Sequence, residues 1–304
     1  MNKAFLLICL LLIGCVVEDT IETTSSGRDG VSLNFIPGIP PDKIWQGSGV
    51  QIALEVKNLG TSDIEEGLVT ISGYDKNLIQ NLESEDNSLK LYGKSDFVSE
   101  GELTIIEFKN TKEKIFFPEN TETNFILAPF KAVACYKYKT KAVIPVCIDT
   151  RPINQRNNGI CSVSDFRNKA GQGAPVAVVG VNQVIVNEGS DKFKAIYEIY
   201  FENVGGGETL REEDYLVPCT SQITRENLDL INVKVFLGED ITSNCISSEF
   251  LEGGLLASKL YEGEGMIICE IELNKGLNHF TPLIIEASYG YSNSVQRIVE
   301  IVKS

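Results

Sequence analysis

The chain has 304 residues, with 27 Lys and Arg against 42 Asp and Glu, a formal net charge of −15 and an isoelectric point near 4.6. Charges are scattered and no basic stripe with interleaved aromatics occurs, so no nucleic acid partner is expected. A single histidine and the lack of any CxxC spacing argue against a zinc site, and no metal or cofactor is expected.

The first 20 residues read MNKAFLLICLLLIGCVVEDT. One lysine precedes an apolar run from Ala4 to Ile13, too short to span a bilayer and of the length of a signal-peptide core. Leu12-Ile13-Gly14-Cys15 resembles the lipobox of secreted lipoproteins, a resemblance confined to these residues. It implies cleavage before Cys15 and a lipid anchor on that cysteine. Residues 1–14 are then a signal peptide and 15–30 a polar, acidic tether with too few apolar residues to order itself. The expected location is extracytoplasmic, at the cell surface, with membrane contact through the anchor alone.

From residue 31 onward, short alternating runs separated by Gly, Asn, Asp and Ser mark β-strands. In VQIALEVKN (50–58), Ile52, Leu54 and Val56 share one face. In KAIYEIYFEN (194–203), Tyr197, Ile199 and Phe201 oppose Ile196, Glu198 and Tyr200. RENLDLIN (225–232) reads as one turn or as the lead into a strand. The fold class is all-β.

An internal repeat organises the chain. Asn58-Leu59-Gly60 matches Asn203-Val204-Gly205, EGELTII (100–106) matches EGEGMII (262–268), and APFKAVACYKY (128–138) matches TPLIIEASYGY (281–291). The order is the same in both halves. Two domains follow, 31–148 and 174–304, joined by a linker at 149–173. A strand ending in Asn-x-Gly and a closing Tyr-rich pair resemble the CARDB-type branch of immunoglobulin-like sandwiches. The resemblance implies two tandem immunoglobulin-like β-sandwiches. CYKYKTKAVIPVCID followed by GQGAPVAV is also similar to uncharacterised archaeal surface proteins. The second half carries an insert, about 205–230, that the first lacks.

Six cysteines follow the signal region: Cys135, Cys147, Cys161, Cys219, Cys245 and Cys269. An even number in an exported chain favours disulfides. Side-chain alternation puts Cys135 and Cys147 on the outer face of a closing hairpin centred near residue 141, with its counterpart centred on Ser294. The expected pairing is Cys135–Cys147, with Cys161–Cys219 and Cys245–Cys269; the rival is Cys147–Cys161.

Chemistry-bearing candidates each have a plainer reading. His279 has no GxSxG partner and suits a surface position. Glu100, Glu102, Glu262 and Glu264 recur as EGE and suit turns; Glu212, Glu213 and Asp214 form an acidic cluster. VGGGET (204–209) lacks phosphate-loop spacing. Trp45, Tyr92, Tyr261 and the tyrosine pairs suit glycan stacking or the core. The expected function is a non-catalytic adhesion or scaffold module contacting a cell-surface protein or glycan. The alternative is a surface lipoprotein that binds a small solute or glycan.

Overall fold

A computed structural model describes residues 26–86, 89–110, 115–118, 122–152, 159–189, 191–238, 240–241, 245–247, 249–250 and 256–304. Residues 1–25, with Cys9, Cys15 and most of the expected tether, lie outside them. The first half forms β1 (Val31–Phe35), β2 (Lys43–Trp45), β3 (Gln51–Asn58), β4 (Gly67–Ser72), β5 (Glu85–Asp86), β6 (Leu103–Lys109) and β7 (Phe125–Asp149). β8 (Phe166–Arg167) follows in the connecting segment. The second half forms β9 (Val176–Gly189), β10 (Lys192–Asn203), β11 (Glu208–Leu210), the one-turn helix α1 (Val217–Thr220) and β12 (Leu230–Leu237). Then come β13 (Asp240–Ile241), β14 (Cys245–Ser247), β15 (Glu249–Phe250), β16 (Leu256–Lys259), β17 (Glu264–Asn274) and β18 (Asn278–Val302). The protein is all-β, as its alternation requires: Ile52, Leu54 and Val56 of β3 are buried, as are Tyr197, Ile199 and Phe201 of β10.

Three sheets form: β1-β3-β6, β14-β17-β10-β9-β8, and a ten-stranded sheet along β15-β16-β12-β18-β7-β4-β5, with β2, β11 and β13 attached at its sides. Apolar faces from all three sheets meet in one core cluster, consistent with a sandwich architecture.

The two longest strands decide the topology. β7 and β18 have 25 residues each and pair antiparallel from end to end, Phe125 opposite Val302 and Asp149 opposite Asn278. The closing hairpins expected at residues 141 and 294 do not form. Each segment instead runs straight on, and each half of the chain receives its last strand from the other. β4 flanks the beginning of β7, over 131–136, and β12 flanks the beginning of β18, over 283–288. The far end of β18 pairs in parallel with β2 and is held by Glu300 N to Asp42 O (2.9 Å) and Arg297 to Asp42 (2.8 Å). The far end of β7 is held by the second half, through Thr150 Oγ1 to Asn274 O (2.7 Å) and Leu277 N to Thr150 Oγ1 (2.9 Å).

For the first of the two segments the turn chemistry agrees with the straight strand. Lys139-Thr140-Lys141 contains none of the Gly, Asn or Asp that a tight hairpin loop favours for positive φ. Meanwhile Tyr136, Tyr138, Thr140, Ala142, Ile144, Val146 and Ile148 keep one buried face without a break.

The sequence-equivalent pairs Tyr136/Tyr289 and Tyr138/Tyr291 meet at the crossing, where Tyr136 faces Tyr291 and Tyr138 faces Tyr289. The halves are therefore related by a pseudo-twofold passing between Lys137 and Gly290. All four rings are buried and in mutual contact, with centroids 5.7 to 6.4 Å apart. Offset and edge-on ring pairs of this kind are favourable beyond their buried area.

The cysteine pairing also differs from expectation. Cys135 bonds Cys219 and Cys147 bonds Cys161, while Cys245 bonds Cys269, its register partner across β14 and β17. The predicted Cys135–Cys147 bond falls with the hairpin that would have brought the two together. Cys161–Cys219 falls with it. Both Cys135 and Cys147 do project from the outer face, but neither meets solvent: Cys135 is 0% exposed beneath the insert, and Cys147 is covered by the segment carrying Cys161. Three disulfides place the described residues in an oxidising, extracytoplasmic environment. Among them, no helix is long and apolar enough to cross a membrane.

Candidate functional site: the outer face at the pseudo-twofold

The Asn-x-Gly and tyrosine signatures prove to be one device. Asn58 ends β3 fully buried; its Nδ2 donates to Ser62 O (2.8 Å) and Leu91 O (3.4 Å), and its Oδ1 accepts from Gly60 N (3.1 Å) and Tyr138 Oη (3.2 Å). Tyr138 Oη in turn accepts from Ser62 N (3.3 Å). The second half repeats this: Asn203 Nδ2 donates to Gly207 O (3.0 Å), Tyr291 Oη donates to Asn203 Oδ1 (2.9 Å), and Gly207 N donates to Tyr291 Oη (2.9 Å). The glycine is required by close approach, since a Cβ on Gly60 or Gly205 would overlap the hydroxyl of Tyr138 or Tyr291. Tyr136 and Tyr289 are tied likewise, accepting from Val31 N and Val176 N and bonding Asn293 and Thr140. Burial pushes all four hydroxyls up, Tyr291 to about 12.

This lock holds the 61–66 loop beside the crossing, and the insert lies over it. Glu212–Asp214 form a 3-10 turn, and Pro218 stands in the first turn of α1, where its missing N–H costs no intrahelical bond. Cys219 anchors α1 to Cys135. Gly290 lies directly below the insert; a Cβ there would come within 2.8 Å of Tyr215 Cβ and 2.9 Å of Arg211 O. Tyr215 Oη donates to Glu66 (3.2 Å), and Lys137 Nζ lies 2.9 Å from the same carboxylate and 5.0 Å from the Tyr215 ring centroid. The Lys137 hydrogen bond, then its charge, then Tyr215 hold the Glu66 carboxyl below its ordinary range, and Glu66 in turn raises Lys137. Glu212 accepts from Ser288 Oγ (2.6 Å) and Asn232 Nδ2 (3.0 Å). The second half's insert thus clamps both halves at their crossing.

Beside the insert a groove of about 420 Å³ opens, floored by Lys139, Lys141, Glu286 and Ser288 and walled by Thr61 and Ser62 on one side and Asn232 and Lys234 on the other. A second recess of about 330 Å³ shares Ser62 and Lys139 with it and carries Asp63, Glu65 and Glu66. The two give the outer face a cationic and an anionic end.

The residues singled out from sequence are dispersed. His279 is exposed opposite Ile148, and its side chain makes no hydrogen bond or ion pair among the described residues. The EGE segments are turns: Gly101 and Gly263 have φ of 75° and 87°, and Glu102 accepts from Tyr92 N (2.8 Å). Asp214 accepts from Asn227 within the insert, and Glu212 ties the insert to Asn232 and Ser288. The tyrosine pairs are core, whereas Trp45, Tyr92 and Tyr261 are 56%, 64% and 66% exposed. Tyr92 and Tyr261 occupy equivalent places, after Lys90-Leu91 and Lys259-Leu260. Among the described residues no cluster of His, Cys, Asp and Glu is arranged to hold a metal ion. The groove lysines escaped notice, because only the exchanged strands bring 139–141 beside 232–234. No protein-family model and no curated protein matches the chain.

Proposed function

We propose that the protein is an exported, lipid-anchored, non-catalytic scaffold of the cell surface, built of two immunoglobulin-like halves that exchange their closing strands. The observation that carries this reading is the ladder of 25 residue pairs between β7 and β18. At about 3.3 Å per residue it is a girder of roughly 80 Å. A protein that captures solutes by closing two lobes needs a few loop residues to absorb the motion. Here the connection between halves is the sheet itself, braced by the tyrosine cluster and the Cys135–Cys219 bond. Such a body holds a fixed geometry between its anchor and a partner, a surface protein or glycan. Acidic net charge keeps it soluble beside anionic lipid.

Two linked measurements test it. Labelled protein lacking residues 1–15 should be retained saturably by intact cells of the producing strain, and Cys15→Ser in the full chain should move the protein from the detergent phase to the medium. Unsaturable, negligible retention would refute the scaffold reading; unchanged detergent partitioning would refute the anchor. A second reading, capture of a small solute or glycan, is favoured by the groove, whose volume falls in the usual range of ligand sites.

A further inference from the structure

The pseudo-twofold gives the groove a counterpart that is already occupied. β4 lies on β7 with Leu68 opposite Cys135, in the same register as β12 on β18 with Asn232 opposite Ser288. On the first of these surfaces the protein has laid its own peptide: α1 covers it, with Cys219 bonded to Cys135 and its Sγ 3.7 Å from Leu68 O and 3.6 Å from Val133 O. Leu68 and Val133 are apolar and buried there. At the equivalent positions of the open copy stand Asn232 and Glu286, with Ser288 in place of Cys135; Glu212 of the insert reaches Asn232 and Ser288, and the groove opens beside it.

The open copy is polar and cationic. Lys141 pairs with Glu286 (3.3 Å), but among the described residues Lys139 and Lys234 make no ion pair. Glu212 is engaged by Asn232 and Ser288, and Asp63, Glu65 and Glu66 line the adjoining recess on the Lys139 side. In a chain of net charge −15 the groove is lined by three lysines, Lys139, Lys141 and Lys234, and one carboxylate, Glu286.

We propose that this groove takes an acidic peptide segment of a partner protein, laid across the outer face as α1 is laid across the other copy. Carboxylates of that segment meet Lys139 and Lys234, and Thr61, Ser62 and Asn232 supply hydrogen bonds to its backbone. The proposal rests on the scaffold reading and names the chemistry of its partner.

The test is fluorescence anisotropy at low salt, using the mature chain and a labelled eight-residue peptide of alternating Glu and Ser. Binding should saturate, weaken with added salt, and fall about tenfold in K139E/K234E while K192E, at a remote exposed lysine, leaves it unchanged. Absence of saturable binding, or equal weakening by K192E, overturns the proposal. Tighter binding of an oligogalacturonate of equal charge overturns it in favour of an anionic glycan. Cell retention separates the two levels: retention without peptide binding sinks this inference alone, and peptide binding without retention sinks the scaffold reading.

Discussion

Replacing Asn58 by Ala removes the side chain that joins the end of β3, the 61–66 loop and the crossing tyrosines. Asn58 is 0% exposed and makes four hydrogen bonds, to Ser62 O, Leu91 O, Gly60 N and Tyr138 Oη. At about 1 kcal/mol net each, the loss is about 4 kcal/mol. Tyr138→Phe removes two bonds, to Asn58 Oδ1 and from Ser62 N, and costs about 2 kcal/mol. The Tyr138–Asn58 bond is counted in both, so the double mutant should cost about 1 kcal/mol less than the sum. Asn203→Ala, which removes only the bonds to Gly207 O and Tyr291 Oη, should cost about 2 kcal/mol, half the effect of its counterpart. Urea denaturation of the oxidised protein measures all four variants, as shifts in midpoint at a common slope. A cost below about 1 kcal/mol for Asn58→Ala, or strict additivity with Tyr138→Phe, would refute the lock.

Non-reducing peptide mapping should recover Cys135 with Cys219, and replacing both by Ser should cost about 4 kcal/mol, as expected for a bond closing so long a stretch of chain; recovery of Cys135 with Cys147 would restore the hairpin. The crossing tyrosines have hydroxyls raised by burial, so their contribution to stability is complete below the unfolded value near pH 10 and is lost as pH climbs through the folded values, about 12 for Tyr291. Absorbance at 295 nm should show them ionising only together with loss of the β circular dichroism signal. Reversible ionisation of all ten tyrosines near pH 10 with that signal intact would contradict their burial.

Much of this was legible in residues 50–58 and 194–203, where alternation alone assigns strand and buried face. The repeat was legible too, and it predicts equivalent positions such as Tyr138 and Tyr291. What alternation could not decide was the partner of each closing segment. A hairpin centred at 141 and a straight strand bury the same even-numbered residues, so both satisfy the pattern. Only the poor turn chemistry of Lys139-Thr140-Lys141 argued for the straight strand, and Ser292-Asn293-Ser294 argued the other way. Alternation places Cys135 and Cys147 on the outer face, as found, but cannot show their burial, because what covers them comes from segments 84 and 14 residues distant. The groove was invisible for the same reason: Lys139 and Lys234, on strands either side of β18, come to line one groove only through exchange.

Hydrogen exchange across residues 125–149 tests the exchanged strands most directly. The ladder predicts slow exchange at every amide of β7 that points toward β18, Thr140 among them being protected to the same order as Ala132 and Ala134 by its pairing with Ala287, whereas the alternate Lys137 N–H points away, to Glu66 O. A fast-exchanging turn centred on residue 141, with protection on either side, would mean that each half closes on itself, and the rigid scaffold would go with it.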